Sequence, residues 1–238
     1  MTVHHHNFRK PDTDPLIEPL LAAPSDRPFV IAQLGQSLDG RIATPTGASR
    51  WINGGGALDH LHRLRANVDA VIVGVGTAVQ DDPELTVRRV EGRNPARVVI
   101  DPNNRLTPHA RCLADDGCRR IVFRRNVCGQ QGSLEQIEPP EGPGFIDPKW
   151  IVRRLFACGL KKILVEGGAR TISSFIDAGV VNRLHVLVAP IILGSGVPGL
   201  SLSPIATMCQ ALRPSTRTQV LDGGDVLFDC DLGRMDEG

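Results

Sequence analysis

The stretch Ile163-Leu164-Val165-Glu166-Gly167-Gly168 constrains this chain more than any other. An apolar, β-branched run stops at an acid, two glycines follow, and a helix-like pattern then runs through Phe175 and Ile176 to Gly179. Such a turn leaves free backbone N–H groups and the positive end of a helix dipole facing whatever sits there. Glycine removes the Cβ atoms that would block close approach. The stretch therefore reads as a seat for a phosphate-bearing cofactor. A plain buried strand and glycine turn is the alternative on these residues alone.

The rest of the chain repeats this strand-to-helix alternation. Phe29-Val30-Ile31-Ala32-Gln33-Leu34 is a continuous apolar run, as in a strand covered on both faces, and Ser37-Leu38-Asp39-Gly40 breaks it as a turn. Asn53 is placed to cap a helix over Ala57 to Asn67, with Leu58, Leu61 and Arg65 on one side. An arginine on an apolar face either needs an anion or snorkels to water. His60 and His62, two residues apart, do not share a face and make a poor metal pair. Asp69 to Gly74 is a strand that runs through Gly76 and Thr77 into a short helix ending before Pro83. The third glycine of a dinucleotide fingerprint is missing there, because that position is Val79.

Thr86 to Arg89 reads as a short extended segment bearing two cations, Ala96 to Ile100 and Arg120 to Phe123 as further strands, and Val127 to Gly144 as a surface loop. Asp147-Pro148 opens a helix that stops at Gly159. Leu184 to Val188 is a strand, followed by a glycine-rich loop. Thr218 to Leu221 and Val226 to Phe228 form a hairpin around Asp222-Gly223-Gly224-Asp225. The fold class is α/β: a mostly parallel central sheet flanked by helices, with a C-terminal antiparallel hairpin. Residues 1–27, broken by prolines, read as an arm or linker that packs loosely or against a partner, and 28–238 as a single domain.

Bulk properties narrow the function. The net charge of +1 gives no reason to expect nucleic acid, and aromatics at 4% with no tyrosine supply no stacking platform for single strands. No apolar run is long enough for a membrane span, and Met1 to Lys10 has no signal-peptide core, so the expected location is cytoplasmic. Six cysteines occur without a Cys-x-x-Cys pair, so neither a metal nor a disulfide framework is expected. His4, His5 and His6 are left out of the fold argument.

Several motifs in this order together resemble one family. They are Ser37-Leu38-Asp39-Gly40-Arg41-Ile42-Ala43, Ser49-x-Trp51-Ile52, His62-x-Leu64-Arg65-Ala66, Gly76-Thr77, Asp81-Asp82-Pro83-x-Leu85-Thr86-x-Arg88 and Arg97-Val98-Val99-Ile100-Asp101. Glu166-Gly167-Gly168-Ala169 and Ala189-Pro190-x-x-Leu193-Gly194 complete the set. The family is the riboflavin-biosynthesis pyrimidine reductases, known as the C-terminal domain of the bacterial bifunctional deaminase–reductase. The resemblance implies a dihydrofolate-reductase-like fold, a homodimer, and NADPH-dependent reduction of the ribosyl side chain of a phosphorylated aminopyrimidine to ribityl. It implies substrate contacts at Ser49, Arg65, Leu85, Arg88 and Glu166. It implies cofactor contacts at Trp51, Gly76, Thr77, Asp81, Pro102 and the turn Gly167, Gly168, Ala169, Arg170, Thr171, Ile172, Ser173 and Ser174.

With that substrate, Arg65 and Arg88 would hold the phosphate, and Asp39, Glu166 or a water would supply a proton near the reacting carbon. The loop from Pro102 to Arg105, or Arg124-Arg125, is the candidate reader of the 2′-phosphate of NADPH, with solvated surface charge the alternative for Arg124 and Arg125. No His-x-Glu and no Pro-Cys-x-x-Cys occurs, so zinc-dependent deamination is not expected of this chain. The alternatives are a dihydrofolate or other pteridine reductase and, in another class, a non-catalytic nucleotide-binding module. Gly54-Gly55-Gly56 and the proline-rich arm have no place in the family pattern.

Overall fold

A computed structural model describes residues 14–50, 52–127, 132–141 and 144–233. A short helix α1 (Glu18–Leu21) precedes strand β1 (Phe29–Ser37), the short strand β2 (Arg41–Ala43) and helix α2 (Gly55–Ala66). Then come β3 (Ala70–Gly74), α3 (Val75–Asp81), β4 (Ala96–Ile100), β5 (Arg120–Phe123) and β6 (Leu134–Ile137). The chain continues through α4 (Pro148–Ala157), β7 (Lys162–Glu166), α5 (Ala169–Asp177), β8 (Arg183–Ala189), β9 (Val197–Pro198), β10 (Ser215–Val220) and β11 (Val226–Asp231).

Nine of the described strands form one sheet in the order β10-β11-β8-β1-β7-β3-β4-β5-β6. Every pair from β8 to β6 is parallel, while β11 pairs antiparallel with both β8 and β10. This is the architecture expected from the sequence, including the terminal hairpin.

The period of two along each strand sorts side chains between two apolar layers. On β3, Val71 and Val73 pack with Leu64, Val75 and Ala78 on the α2 and α3 face. Ala70 and Ile72 pack with Ile151, Leu155, Ile172 and Phe175 on the α4 and α5 face. Asp147 caps α4 by accepting from the Lys149 N–H at 2.9 Å, with Pro148 in the first turn, as its sequence implies.

Some local expectations are corrected. β1 runs on to Ser37, because β8 stays paired with it to Ser37 after its pairing with β7 ends at Gln33. The extended segment at residues 86–89 pairs into no strand, and β6 lies inside the stretch read as loop. Its weak pattern is carried by pairing with β5. The described part of the arm is not loose: Leu16, Ile17 and Leu20 are buried in the domain's own apolar clusters. The buried face of α2 comprises Ala57, His60, His62, Leu64 and Arg65, with Leu61 half-buried against the same core and Leu58 at its margin. A buried polar network decides that face. Among the described residues no helix is long and apolar enough to cross a membrane.

Candidate active site

Parallel pairing brings the carboxyl ends of β1, β7, β3 and β4 to one edge of the sheet. From the neighbouring strands β7 and β3, helices α5 and α3 leave onto opposite faces. A crevice opens where connections diverge in this way, and ligands of open α/β sheets bind there. Gly167 and Gly168 stand at φ +68° and +73°, backbone values that a Cβ penalises. They are also packed: a Cβ on Gly167 would lie 2.9 Å from Thr77 Cγ2, and one on Gly168 would lie 2.9 Å from Thr77 Oγ1. Reciprocally, a Cβ on Gly74 would meet Thr171 Oγ1 at 2.3 Å. Each glycine turn thus seats the threonine of the other. Among the described residues no side chain caps α5, which leaves the N–H groups ahead of Thr171 available to an anion.

Glu166 ends β7 with its carboxylate buried and tied to α2. Arg65 Nε donates to Oε1 at 2.7 Å and Nη2 to Oε2 at 2.6 Å, while Nη1 donates to the Thr86 carbonyl at 3.0 Å. Burial works to lower the Arg65 pKa, but the Glu166 charge and hydrogen bonds outweigh it and the net shift is upward. The anion demanded by an arginine on a buried helix face is therefore Glu166. In this structure the Arg65 charge is matched by Glu166 and one of its remaining donors serves Thr86.

Arg88 lies beside this pair. Its backbone N–H donates to His62 Nδ1 at 2.9 Å, and its Nη1 donates to Thr86 Oγ1 at 2.6 Å and to the Glu84 carboxylate. Burial and the nearby Arg65 cation lower the Arg88 pKa. The His62 pKa is pushed down to about 4, by burial first and then by Arg65, Arg88 and Arg89. His62 is thus a neutral acceptor in a strongly positive neighbourhood.

Other predicted residues divide. Gly76 is exposed, with open space where a Cβ would go. Ser49 lies in a loop tied to α3, since Gln80 donates to the Gly47 carbonyl at 3.0 Å. Asp81, at the end of α3, has a pKa raised by burial and tempered by Arg50. Pro102 follows β4, beside Asp101, whose buried carboxylate accepts the N–H groups of Arg105 and Leu106, each at 2.9 Å. Trp51 lies outside the described residues.

Three assignments are revised. Leu85 has φ +58° and its side chain is buried in the α2-face core, so only its backbone is placed to meet a ligand. On α5, Ile172 is buried in the core and its N–H is spent on the Gly168 carbonyl. The Thr171 N–H is spent on the Gly168 carbonyl as well, the Ser173 hydroxyl accepts from Ser201 and the Ser174 hydroxyl donates back to Thr171, so the N–H groups left for an anion are those of Gly167 to Arg170. Asp39 holds loops together instead of poising a proton: it accepts from Ser37 Oγ at 2.6 Å, Leu193 N at 3.1 Å and Gly194 N at 2.7 Å. The Ser37 hydroxyl, then these backbone donors, lower its pKa to about 2, which unsuits it as a general acid.

Three long-range features escaped sequence reasoning. Asp225, in the hairpin turn, accepts from the Gly54 N–H at 2.7 Å and so caps α2 in place of Asn53, whose side chain makes no capping bond. Gly56 is needed there, because a Cβ would meet the Asp222 carbonyl oxygen at 2.4 Å. His60 and His185 are buried 2.8 Å apart, and His185 Nε2 lies 3.1 Å from Asp229, which also takes a two-bond fork from Arg183. Glu84 lies between Arg88 and Arg111.

Residues 28–218 match the family model described as the RibD C-terminal domain. The 2,5-diamino-6-ribosylamino-4(3H)-pyrimidinone 5′-phosphate reductase of Methanothermobacter thermautotrophicus is 35% identical over 214 residues, which cover 85% of this chain and 97% of that one. The crystal structure of a diaminohydroxyphosphoribosylaminopyrimidine deaminase/5-amino-6-(5-phosphoribosylamino)uracil reductase from Thermotoga maritima superposes with a TM-score of 0.72 at 27% identity. That match covers 91% of this chain and 59% of the bifunctional one. A dihydrofolate reductase from Enterococcus faecalis, solved with NADP(H), shares the fold at a TM-score of 0.50 and 12% identity, covering 85% of this chain and 96% of that one.

Proposed function

This chain belongs to the RibD C-terminal domain family, and from that premise we propose that it is the pyrimidine reductase of riboflavin biosynthesis, using NADPH. The substrate is a phosphoribosylamino-pyrimidine, either the 2,5-diamino-pyrimidinone or its deaminated uracil counterpart, and the ribosyl chain becomes ribityl. The carrying observation is the pair of interlocked glycine turns at the divergence of α3 and α5, one strand-end from the buried Arg65–Glu166 pair.

The residues present fit a dinucleotide. The N–H groups of Gly167 to Arg170 would receive its pyrophosphate at the N-terminal end of α5, and Gly76 and Thr77 line the opposite wall. One and two strands further along the same edge, after β4 and β5, stand Arg105, Arg124 and Arg125. They supply cations for a 2′-phosphate, which supports NADPH over NADH. A bound dihydronicotinamide supplies the hydride.

On the substrate side, Arg88 with Arg89 takes the phosphate, and Ser49 adds a hydroxyl donor. Glu166, fixed by Arg65, accepts from the pyrimidine or sugar. The proton comes from water, since the Asp39 carboxylate stays ionised and both Glu166 oxygens serve Arg65. The catalytic unit is one domain from residue 28 onward, with residues 14–27 packed on it. A homodimer is supported by β10, an exposed edge strand near exposed Ile205, Met208 and Leu212.

Steady-state oxidation of NADPH, and of NADH in parallel, with both pyrimidines is the test. Turnover of neither pyrimidine would refute the reading. Equal use of NADH would remove the role given to the arginines after β4 and β5.

A further inference from the structure

Residues 82–88 are held in an uncommon backbone path. Asp82 and Leu85, neither a glycine, have φ of +41° and +58°. Strain of this kind persists where the surroundings over-determine it, often at ligand clamps. Here the surroundings are ionic. The Arg111 N–H donates to Asp82 at 2.8 Å while the Arg111 guanidinium reaches Glu84. The other oxygen of Glu84 takes Arg88 Nη1, and the Thr86 hydroxyl reaches the same oxygen at 3.3 Å. One carboxylate is thus shared by two arginines from different segments, Arg88 and Arg111, the latter opening a short 3-10 turn.

Arg88 is the cation that the proposed function assigns to the substrate phosphate, and the inference rests on that assignment. Its side chain is 49% exposed, so an incoming anion can reach it. Arg65 nearby is already matched by Glu166. Among the described residues of the cluster, the carboxylate hydrogen-bonded to Arg88 is Glu84, four residues away on the same strained segment, while Glu166, spent on Arg65, acts on Arg88 only through its charge.

We infer that Glu84 is an internal stand-in for the substrate phosphate, a specificity-determining residue that occupies Arg88 until a phosphate displaces it, with Arg111 receiving the released carboxylate. Both oxygens have cationic partners beforehand, so moving Glu84 fully onto Arg111 leaves no unpaired charge. A neutral sugar lacks the charge to make the exchange. Glu84 thereby raises discrimination between phosphorylated and unphosphorylated ligands at the expense of absolute affinity, as a built-in competitor does.

The test uses the full chain and ribose 5-phosphate as probe, titrated by calorimetry, with ribose as control and thermal melting as a check on folding. Glu84→Gln removes the competitor and one negative charge, so ribose 5-phosphate binds about fivefold tighter, the size of one charge at a solvated site, and ribose is unaffected. Arg111→Ala strands Glu84 on Arg88 and weakens ribose 5-phosphate binding by a similar factor. A Glu84→Gln variant that binds equally or more weakly overturns the inference, since Glu84 would then merely position Arg88. Wild-type protein that binds ribose 5-phosphate no better than ribose, with Arg88→Ala unchanged, overturns the phosphate assignment itself and the inference with it.

Discussion

Arg65 on α2 and Glu166 at the end of β7 meet through two hydrogen bonds of 2.7 and 2.6 Å, across 101 positions of sequence and with both side chains buried. Removing one partner leaves the other as an uncompensated buried charge, which typically costs about 3–5 kcal/mol. Arg65→Ala is therefore expected to lower the unfolding free energy by about that amount and to abolish activity. Arg65→Met with Glu166→Leu should regain much of the stability but none of the activity. Urea unfolding monitored by circular dichroism, beside steady-state rates, measures both. A stable but inactive Arg65→Ala protein would mean that water already screens the pair.

The two glycine turns make a second case. A valine at Gly168 must adopt φ near +73° and push against Thr77 Oγ1. Gly168→Val should raise the dissociation constant for NADPH severely, read by quenching of intrinsic fluorescence. Trimming the threonine, in Gly168→Ala with Thr77→Ala, should relieve the clash but keep the backbone strain. An unchanged affinity in Gly168→Val would remove this turn from the cofactor site.

Asp225 offers a test of helix capping from a distance. Its carboxylate is buried against the Gly54 N–H, and Asn53 Nδ2 approaches the other oxygen at 3.4 Å. Asp225→Ala should cost about 1–2 kcal/mol as a lost cap and loosen α2, the helix that carries His62 and Arg65. Hydrogen exchange of the first turn of α2 should speed up relative to that of α5. Uniform exchange across both helices would show that Gly54 finds another acceptor.

The buried histidines set the response to acid. Burial, then the neighbouring His185 and Arg63, lowers the His60 pKa from 6.5 to about 3. His185 Nε2 donates to Asp229 and its Nδ1 accepts from His60 Nε2, which leaves the buried His60 Nδ1 without a partner. Between these two pKa values the unfolded chain binds a proton that the folded one refuses. Stability therefore falls as pH drops from about 6.5 toward 3, by up to about 1.4 kcal/mol per pH unit for one such group. His60→Phe should flatten that part of the urea-midpoint profile, whereas an unaltered slope would assign the acid response to other groups.

Much of the architecture was legible because hydrophobic period and turn chemistry are local. The runs at β1, β3, β4, β5 and β7, the Asp147-Pro148 helix start and the Asp-Gly hairpin turn each follow from neighbours within a few residues. What escaped was the short strands β2, β6 and β9, whose pairing partners rather than their own patterns make them strands.

The site divides along the same line. The chain by itself determined that Glu166, Gly167 and Gly168 would stand at a strand-to-helix turn, since backbone geometry there depends only on adjacent residues. It left Arg65 two fates, an anion partner or a head snorkelling to water. Tertiary structure alone decided that the anion is Glu166, that Asp39 is a loop anchor and that Asp225 caps α2. It also decided that Glu84 lies between Arg88 and Arg111. The physical reason is that a charge acts on whatever the fold brings within a few ångströms, whatever its distance along the chain.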